Sequence, residues 1–301
     1  MDGAELSIIL PCLNETATLP KLLDDLERLY PNAEIIVVDD GSSPPVPAMG
    51  NAVIVRHPRT IGNGAAVKTG ARNATRDYLV FMDADGQHDP NDIPRLLASF
   101  DKGFDMVVGA RDPKTHATTG RRYANLAFNK LASLMTGFRI QDLTSGFRAA
   151  RAKPFRNFLY LLPNGFSYPT TSTMAFFRCG YSVDYVPIRA SKREGISKIK
   201  LLRDGVRFFV LILRIGGLFS PMRLFLPVAV VLFLLGTGWH FYTYISANRF
   251  TNMGAVLYLS ALLTFLFGIV SEQISALHYR YSEERRRSSD YGGNRRETSN
   301  Q

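Results

Sequence analysis

Two stretches near the carboxyl end limit the folds open to this chain more than any other feature. Leu224–Tyr244 runs for 21 residues and Gly254–Ser271 for 18 without an Asp, Glu, Lys or Arg. As a helix the first is about 31 Å long, the thickness of one hydrocarbon core. Uncharged runs of this length are rare in soluble folds, so the pair reads as two membrane spans rather than two buried core helices. The short segment Ile245–Met253 between them makes the pair a hairpin.

Charge supports this division. Residues 189–301 carry 16 Lys/Arg against 7 Asp/Glu, a net of +9 within the chain's +10. Lys192, Arg193, Lys198, Lys200, Arg203, Arg207, Arg214 and Arg223 precede the first span, and Arg280 and Arg285–Arg287 follow the second. The connecting loop holds only Arg249. The positive-inside rule then predicts a multi-pass protein of the inner (cell) membrane, with residues 1–200 and both termini cytosolic. Basic residues that flank apolar spans suit anionic headgroups, so membrane lipids are the expected partner and nucleic acid is not. Met1–Leu10 carries acids and no basic region, so no signal peptide is expected. Cys12 and Cys179 are the only cysteines, which argues against a disulfide scaffold or a Cys-based zinc module.

Four segments follow: a soluble region 1–200, an interfacial helix 201–222, the hairpin 223–279 and a disordered basic tail 280–301. In the second, Arg203, Arg207 and Arg214 share one side of a helical wheel, with apolar residues filling much of the rest, as in a helix lying on a leaflet.

The soluble region alternates strand and helix. Strands are predicted at Leu6–Leu10, Glu34–Val38, Ala52–Arg56, Tyr78–Met82 and Asp105–Gly109, and helices at Thr16–Tyr30, Asn63–Thr75 and Pro90–Phe100. This order predicts an α/β fold with a mostly parallel sheet covered by helices on both faces. Asn14-Glu15, Asp39-Asp40, Asp83-Ala84-Asp85 and Arg111 each follow the carboxyl end of a predicted strand. One such cluster is ordinary turn chemistry. Four on one sheet edge point to a ligand site.

Asp83, Asp85 and Gln87 place three hard oxygen ligands within five residues, suited to Mg²⁺ or Mn²⁺ with positions left for a diphosphate. His88 beside them could add a ligand, but a lone His beside a turn reads more readily as polar surface. Gly62-Asn63-Gly64 opens a small-residue helix that packs close to the sheet or to a nucleotide, but it is a weak dinucleotide fingerprint because Val67 stands at the third small position. Gln141–Arg148 reads as a tight loop offering Asp, Ser and Arg, and Arg193–Lys198 as a flexible basic loop. The forks of Arg111, Arg121 and Arg122 suit phosphate oxygens.

Taken in order, Pro11-x-x-Asn14-Glu15, Val38-Asp39-Asp40-Gly41-Ser42, Asp83-Ala84-Asp85-x-Gln87, Gly109-Ala110-Arg111, Asp142-x-x-Ser145-Gly146-Phe147-Arg148 and Arg193-x-Gly195-x-Ser197-Lys198 resemble a family-2 glycosyltransferase of GT-A fold. More narrowly the set is similar to the polyprenyl-phosphate glycosyltransferases, and the two-span hairpin matches their bacterial members. The resemblance implies inverting transfer of a sugar from a nucleotide-diphospho-sugar, of UDP-hexose or GDP-mannose type, to a polyprenyl phosphate. It implies that Pro11, Leu13, Glu15, Asp39 and Asp40 line the donor nucleotide pocket; Gly64, at the start of the small-residue helix, is expected beside them. Asp83, Asp85 and Gln87 would hold the metal and donor diphosphate. Arg111, with Arg121 or Arg122, would hold the lipid phosphate. Arg193, Ser197 and Lys198 would close over the diphosphate, and Asp85, Arg111, Asp142 and Arg193 form the expected catalytic set. A homo-oligomer is compatible with this reading.

Three alternatives stand beside it. A processive polysaccharide synthase carries Gln-x-x-Arg-Trp, but the sole tryptophan, Trp239, lies within the first span. A family-2 transferase with another acceptor leaves the hairpin unexplained. A membrane-tethered nucleotide-sugar binder, or an inactive partner subunit, has no need of the intact acidic and arginine motifs.

Overall fold

The computed structural model describes residues 4–111, 119–165, 167–188, 221–249 and 251–297, with isolated positions 210, 213 and 217. The chain divides into two compact units, Met1–Ser133 with Phe138–Ile212 and Leu134–Gly137 with Leu213–Gln301. Most of the segment 201–222, where the interfacial helix is expected, lies outside the described residues.

In the first unit, seven strands form one sheet: β1 (Leu6–Cys12), β2 (Glu34–Asp39), β3 (Val53–Arg56), β4 (Tyr78–Phe81), β5 (Met106–Arg111), β6 (Arg148–Arg151) and β7 (Val183–Ile188). Their order is β3-β2-β1-β4-β6-β5-β7. Every pairing is parallel except those of β6, which runs antiparallel to both β4 and β5. The mostly parallel α/β sheet expected from the sequence is therefore present, and β6 and β7 are additions to it.

The helices form where apolar residues recur at helical spacing. Helix α1 (Leu19–Leu29) buries Leu19, Leu22, Leu23 and Leu26 in a cluster with Leu6, Ile8 and Leu10 of β1. Each such leucine contributes about 1.5–3 kcal/mol of burial. Ile9 points to the opposite face, where Gly70 of α2 (Asn63–Asn73) packs against it. Both faces of β1 are therefore covered, which is why it reads as a continuous apolar run. Strand β3 is at the sheet edge and half-exposed. The helix expected at Pro90–Phe100 is broken into a short α3 (Ile93–Leu97) between two 3₁₀ turns, with prolines at 90 and 94. Helices α4 (Thr119–Thr136), α5 (Ala152–Asn157) and α6 (Tyr168–Arg178) follow.

Strand order reverses at β1, which has β2 on one side and β4 on the other. Ligands of open α/β sheets bind at the carboxyl ends of strands beside such a switch. Pro11, Asp39, Asp83 and Arg111 all sit at or just beyond those ends.

The second unit contains α7 (Pro221–Ala247) and α8 (Asn252–Glu297). Pro221–Ser246 and Asn252–Leu277 are each long and apolar enough to cross a membrane. Most of their side chains are exposed, unlike those of a soluble core helix. Pro221, Ala229, Gly236 and Thr243 of α7 and Gly254, Ala261, Gly268 and Ser275 of α8 are buried. Small residues at that contact let two helices approach closely where lipid removes any hydrophobic drive between them. Tyr258 donates to Thr237 Oγ1 at 3.2 Å, and the Met222 amide to Glu272 Oε2 at 3.2 Å. Helix α8 continues to Glu297, into the segment that the sequence reading assigned to a disordered tail.

Candidate active site

The loop after β1 is locked to the loop after β2. Asn14 has φ +58°, a conformation that asparagine tolerates better than most residues. Its amide donates to Ser42 Oγ at 3.0 Å, and its Oδ1 accepts from the Ser43 amide at 2.9 Å. Pro11 and Glu15 are half-buried and Leu13 is exposed along this segment.

The acidic pair is built into that frame. Asp39 is fully buried and accepts from the Ser42 amide at 2.8 Å and the Val46 amide at 3.2 Å. Burial pushes its carboxyl up, but the hydrogen bonds from Ser42 and Val46 and the charge of Arg56 outweigh this and hold it below the usual range. Asp40 accepts from His57 Nδ1 at 2.7 Å and from the Ile61 and Gly62 amides at 3.0 and 2.8 Å. His57 Nε2 in turn meets Thr69 Oγ1 at 2.9 Å. Both oxygens of Asp40 thus hold the segment leading into α2. The resemblance assigns these two acids to the donor pocket; in the structure both are buried, and their carboxylates brace the loop after β2 and the segment before α2.

Gly64 has a packing reason. The Gly64 amide donates to the Gly165 carbonyl at 3.2 Å, and the Ala65 amide to the Asn164 carbonyl at 3.0 Å. A Cβ on Gly64 would collide with the Pro163 carbonyl oxygen, a backbone atom. Lys68 ties the same loop down through the Leu162 carbonyl at 3.1 Å and Asn164 Oδ1 at 2.5 Å. The first amides of α2 therefore serve the 163–165 loop. Gly64→Ala is expected to destabilise the protein by about 1–3 kcal/mol through overpacking, read as a lower thermal midpoint.

The turn after β4 carries Asp83, Asp85 and Gln87, all half-buried. Asp83 Oδ1 accepts from Asn63 Nδ2 at 3.3 Å, and Asp85 Oδ1 from the Gln87 amide at 3.2 Å. Gly146 presses against Asp83 so closely that a Cβ there would lie 2.6 Å from its Oδ2. His88 is not polar surface as expected. It is buried, its ring stacks on Phe147 at 5.1 Å, and its Nδ1 has no hydrogen-bond partner among the described residues. Burial pushes its imidazole below the usual range, against the pull of Asp83 and Asp85.

Arg111, at the end of β5, forms a two-pronged pair with Asp142: Nε to Oδ2 at 2.8 Å and Nη2 to Oδ1 at 3.0 Å. Nη2 also donates to Thr144 Oγ1 at 2.6 Å. Asp142 is buried and accepts from the Thr144 and Ser145 amides as well. Burial raises its carboxyl, but Arg111 and these amides dominate and lower it. The expected catalytic Asp142 is thus the residue that orients Arg111. Asp39 and Asp142 both have depressed pKa values in the fold, so their stabilisation is complete above about pH 4, the ordinary aspartate value. It decays as pH falls through their folded-state values. Stability in denaturant is expected to fall below pH 4, and less steeply in Asp142→Asn measured against its own neutral-pH value.

Arg121 and Arg122 belong to the first turn of α4, but their side chains lie outside the described residues. Arg193, Ser197 and Lys198 also lie outside them.

Among the described residues no three His, Cys, Asp or Glu side chains form a metal cluster. Asp83, Asp85 and the Gln87 amide oxygen nevertheless fit a partial shell for a hard cation. Mg²⁺ typically takes one or two carboxylates and completes its shell with substrate phosphate and water.

A sheet with this strand order, carrying an Asp-x-Asp turn at its switch point, defines a GT-A transferase domain. The chain belongs to Glycosyl transferase family 2, whose profile matches residues 7–159. A second profile, the GtrB C-terminal hairpin, matches residues 220–277. The polyprenol monophosphomannose synthase of Mycolicibacterium smegmatis is 30% identical over 211 residues, covering 64% of this chain and 80% of that one. The undecaprenyl-phosphate mannosyltransferase of Micrococcus luteus is 32% identical over 209 residues, covering 64% and 86%. Among solved structures, glucosyl-3-phosphoglycerate synthase of Mycobacterium tuberculosis with Mn²⁺, uridine diphosphate and phosphoglyceric acid aligns with TM-score 0.56. It is 22% identical and the match covers 70% of this chain and 78% of that one, a likeness of fold.

Proposed function

We propose that the protein transfers a sugar from a nucleotide-diphospho-sugar to a polyprenyl phosphate, with inversion at the anomeric carbon. The observation that carries this reading is the union of a family-2 domain with an apolar helix hairpin in one chain. A hairpin anchor suits an acceptor that presents its phosphate at headgroup level. The names of the relatives from M. smegmatis and M. luteus point the same way.

In this reading a phosphate oxygen of the acceptor forms a bond to the anomeric carbon. The bond from that carbon to the donor's β-phosphate oxygen breaks, and a nucleoside diphosphate leaves. The acceptor is already an anion at neutral pH, so no strong general base is required. Positioning and charge neutralisation supply the catalysis. Asp83, Asp85 and Gln87 would hold Mg²⁺ or Mn²⁺, which when bound neutralises charge on the diphosphate. Arg111, oriented by Asp142, together with Arg121 or Arg122, takes the acceptor phosphate. Arg193, Ser197 and Lys198 of the basic loop serve the diphosphate. The charge asymmetry around the spans supports an inner-membrane protein with its catalytic domain and termini in the cytosol.

The test is nucleoside diphosphate release by the purified full chain in detergent. A panel of UDP- and GDP-sugars with Mg²⁺ or Mn²⁺ is compared with and without undecaprenyl phosphate. Release with one donor only when the lipid is present is the expected result. Nucleotide binding without release from any donor would support a tethered binder instead.

A further inference from the structure

Arg148 opens β6 and is fully buried, among the largest side chains with no exposure. Among the described residues no carboxylate lies within ion-pair distance of it. A buried cation without a partner carries a desolvation cost of several kcal/mol, and an apolar residue of similar volume avoids that cost. The fork of the guanidinium accounts for its presence. Nε and Nη2 both donate to the Ser145 carbonyl, Nε at 3.2 Å. Nη1 donates to the Pro169 carbonyl at 2.9 Å, Ser172 Oγ at 2.7 Å and Thr173 Oγ1 at 3.2 Å. One side chain thus joins the 142–147 loop to the first turns of α6.

Tyr168 makes the same connection from the other side. Its ring lies under the Arg148 guanidinium at 5.6 Å, and its hydroxyl donates to the Gly146 carbonyl at 3.0 Å. The Ser145 carbonyl is therefore held by Arg148 of β6, itself bonded to α6, and the Gly146 carbonyl by Tyr168 of α6. The same short loop carries Asp142, which orients Arg111, and Gly146, whose Cα abuts Asp83. Groups on both sides of the reaction centre depend on a loop that Arg148 and Tyr168 fasten to α6.

We propose that Arg148 and Tyr168 are positioning residues that set the 142–147 loop for transfer. The geometry of the Arg148 fork, not its charge alone, is what the reaction requires. The kinetic part of this inference rests on the proposed transfer reaction; the structural part does not. Since the reacting groups must be aligned within a fraction of an ångström, a loosened loop lowers kcat more than donor affinity.

The test uses the full chain in detergent with Arg148→Lys, which keeps the charge and loses the fork, and Tyr168→Phe, which removes one hydroxyl. Backbone hydrogen exchange at Thr144 and Ser145, whose amides donate to Asp142, is followed together with exchange in β1 and β4. Both variants are expected to exchange at 144–145 at least about tenfold faster, with β1 and β4 unchanged. In the release assay kcat is expected to fall about tenfold in Tyr168→Phe and further in Arg148→Lys, with donor KM changed less than about threefold. Unchanged exchange at 144–145 in Tyr168→Phe would overturn the proposal, as would full kcat in Arg148→Lys or equal acceleration of exchange across the sheet. If wild-type protein releases no nucleotide, the transfer reading fails, and the exchange arm still decides the clamp.

Discussion

Asp85→Ala is expected to lower transfer at least about a thousandfold while the protein remains folded and in the membrane. The asymmetry between the two acids of the turn makes Asp85 the cleaner target. Asp83 is packed into the fold, bonded to Asn63 and pressed by Gly146. Asp85 is half-buried and accepts a bond from the Gln87 amide two residues on. A turn bond of this kind is worth about 1 kcal/mol. Loss of one preorganised charge at a centre where diphosphate charge develops costs about 10²–10³ in rate, and more where it also holds a cation. The checks are the release assay, a thermal midpoint and membrane fractionation. Wild-type activity that survives an excess of chelator would remove the metal assignment of Asp83, Asp85 and Gln87. An Asp85→Ala protein as active as wild type would remove Asp85 from the site.

Patterns local in sequence were legible, and those set by tertiary contact were not. The strand–helix alternation predicted the sheet, and the polar clusters after strands β1, β2, β4 and β5 predicted the edge at which those residues gather. The apolar runs likewise predicted the hairpin. Strand β6 was hidden because Arg-Ala-Ala-Arg has no strand periodicity. It forms because β4 and β5 leave an antiparallel slot between them. The sequence places Arg148 in a loop for the same reason: nothing in it says that α6 supplies carbonyls and hydroxyls to a buried guanidinium. His88 was read as surface because its burial depends on Phe147, nearly sixty residues away. The Gly62-Asn63-Gly64 segment suggested close packing on the sheet or on a nucleotide; that the Pro163–Gly165 backbone occupies the space a Gly64 side chain would need came only from the structure. Asp39 and Asp40 were recognisable as important, but their role in bracing loops came only from the geometry.

Arg111→Ala is expected to reduce use of the lipid acceptor at least about a hundredfold and to change donor KM less than about threefold. The guanidinium is partly exposed at the sheet edge, and Asp142 and Thr144 fix its plane. That arrangement preorganises a fork for phosphate oxygens. The single substitution also leaves the buried Asp142 carboxylate without its cation, which is destabilising in itself. The paired variant Arg111→Met with Asp142→Asn removes both charges and separates the two effects. If the loss belongs to stability, the paired variant regains activity; if it belongs to the acceptor, the paired variant stays as inactive as Arg111→Ala while its thermal midpoint recovers. Asp142→Asn alone keeps the Arg111 charge but weakens its orientation, so an intermediate loss, about tenfold, is expected at unchanged donor affinity. A parallel fall in nucleoside diphosphate affinity across all three variants would place Arg111 on the donor diphosphate. The acceptor phosphate would then fall to Arg121 or Arg122 at the start of α4.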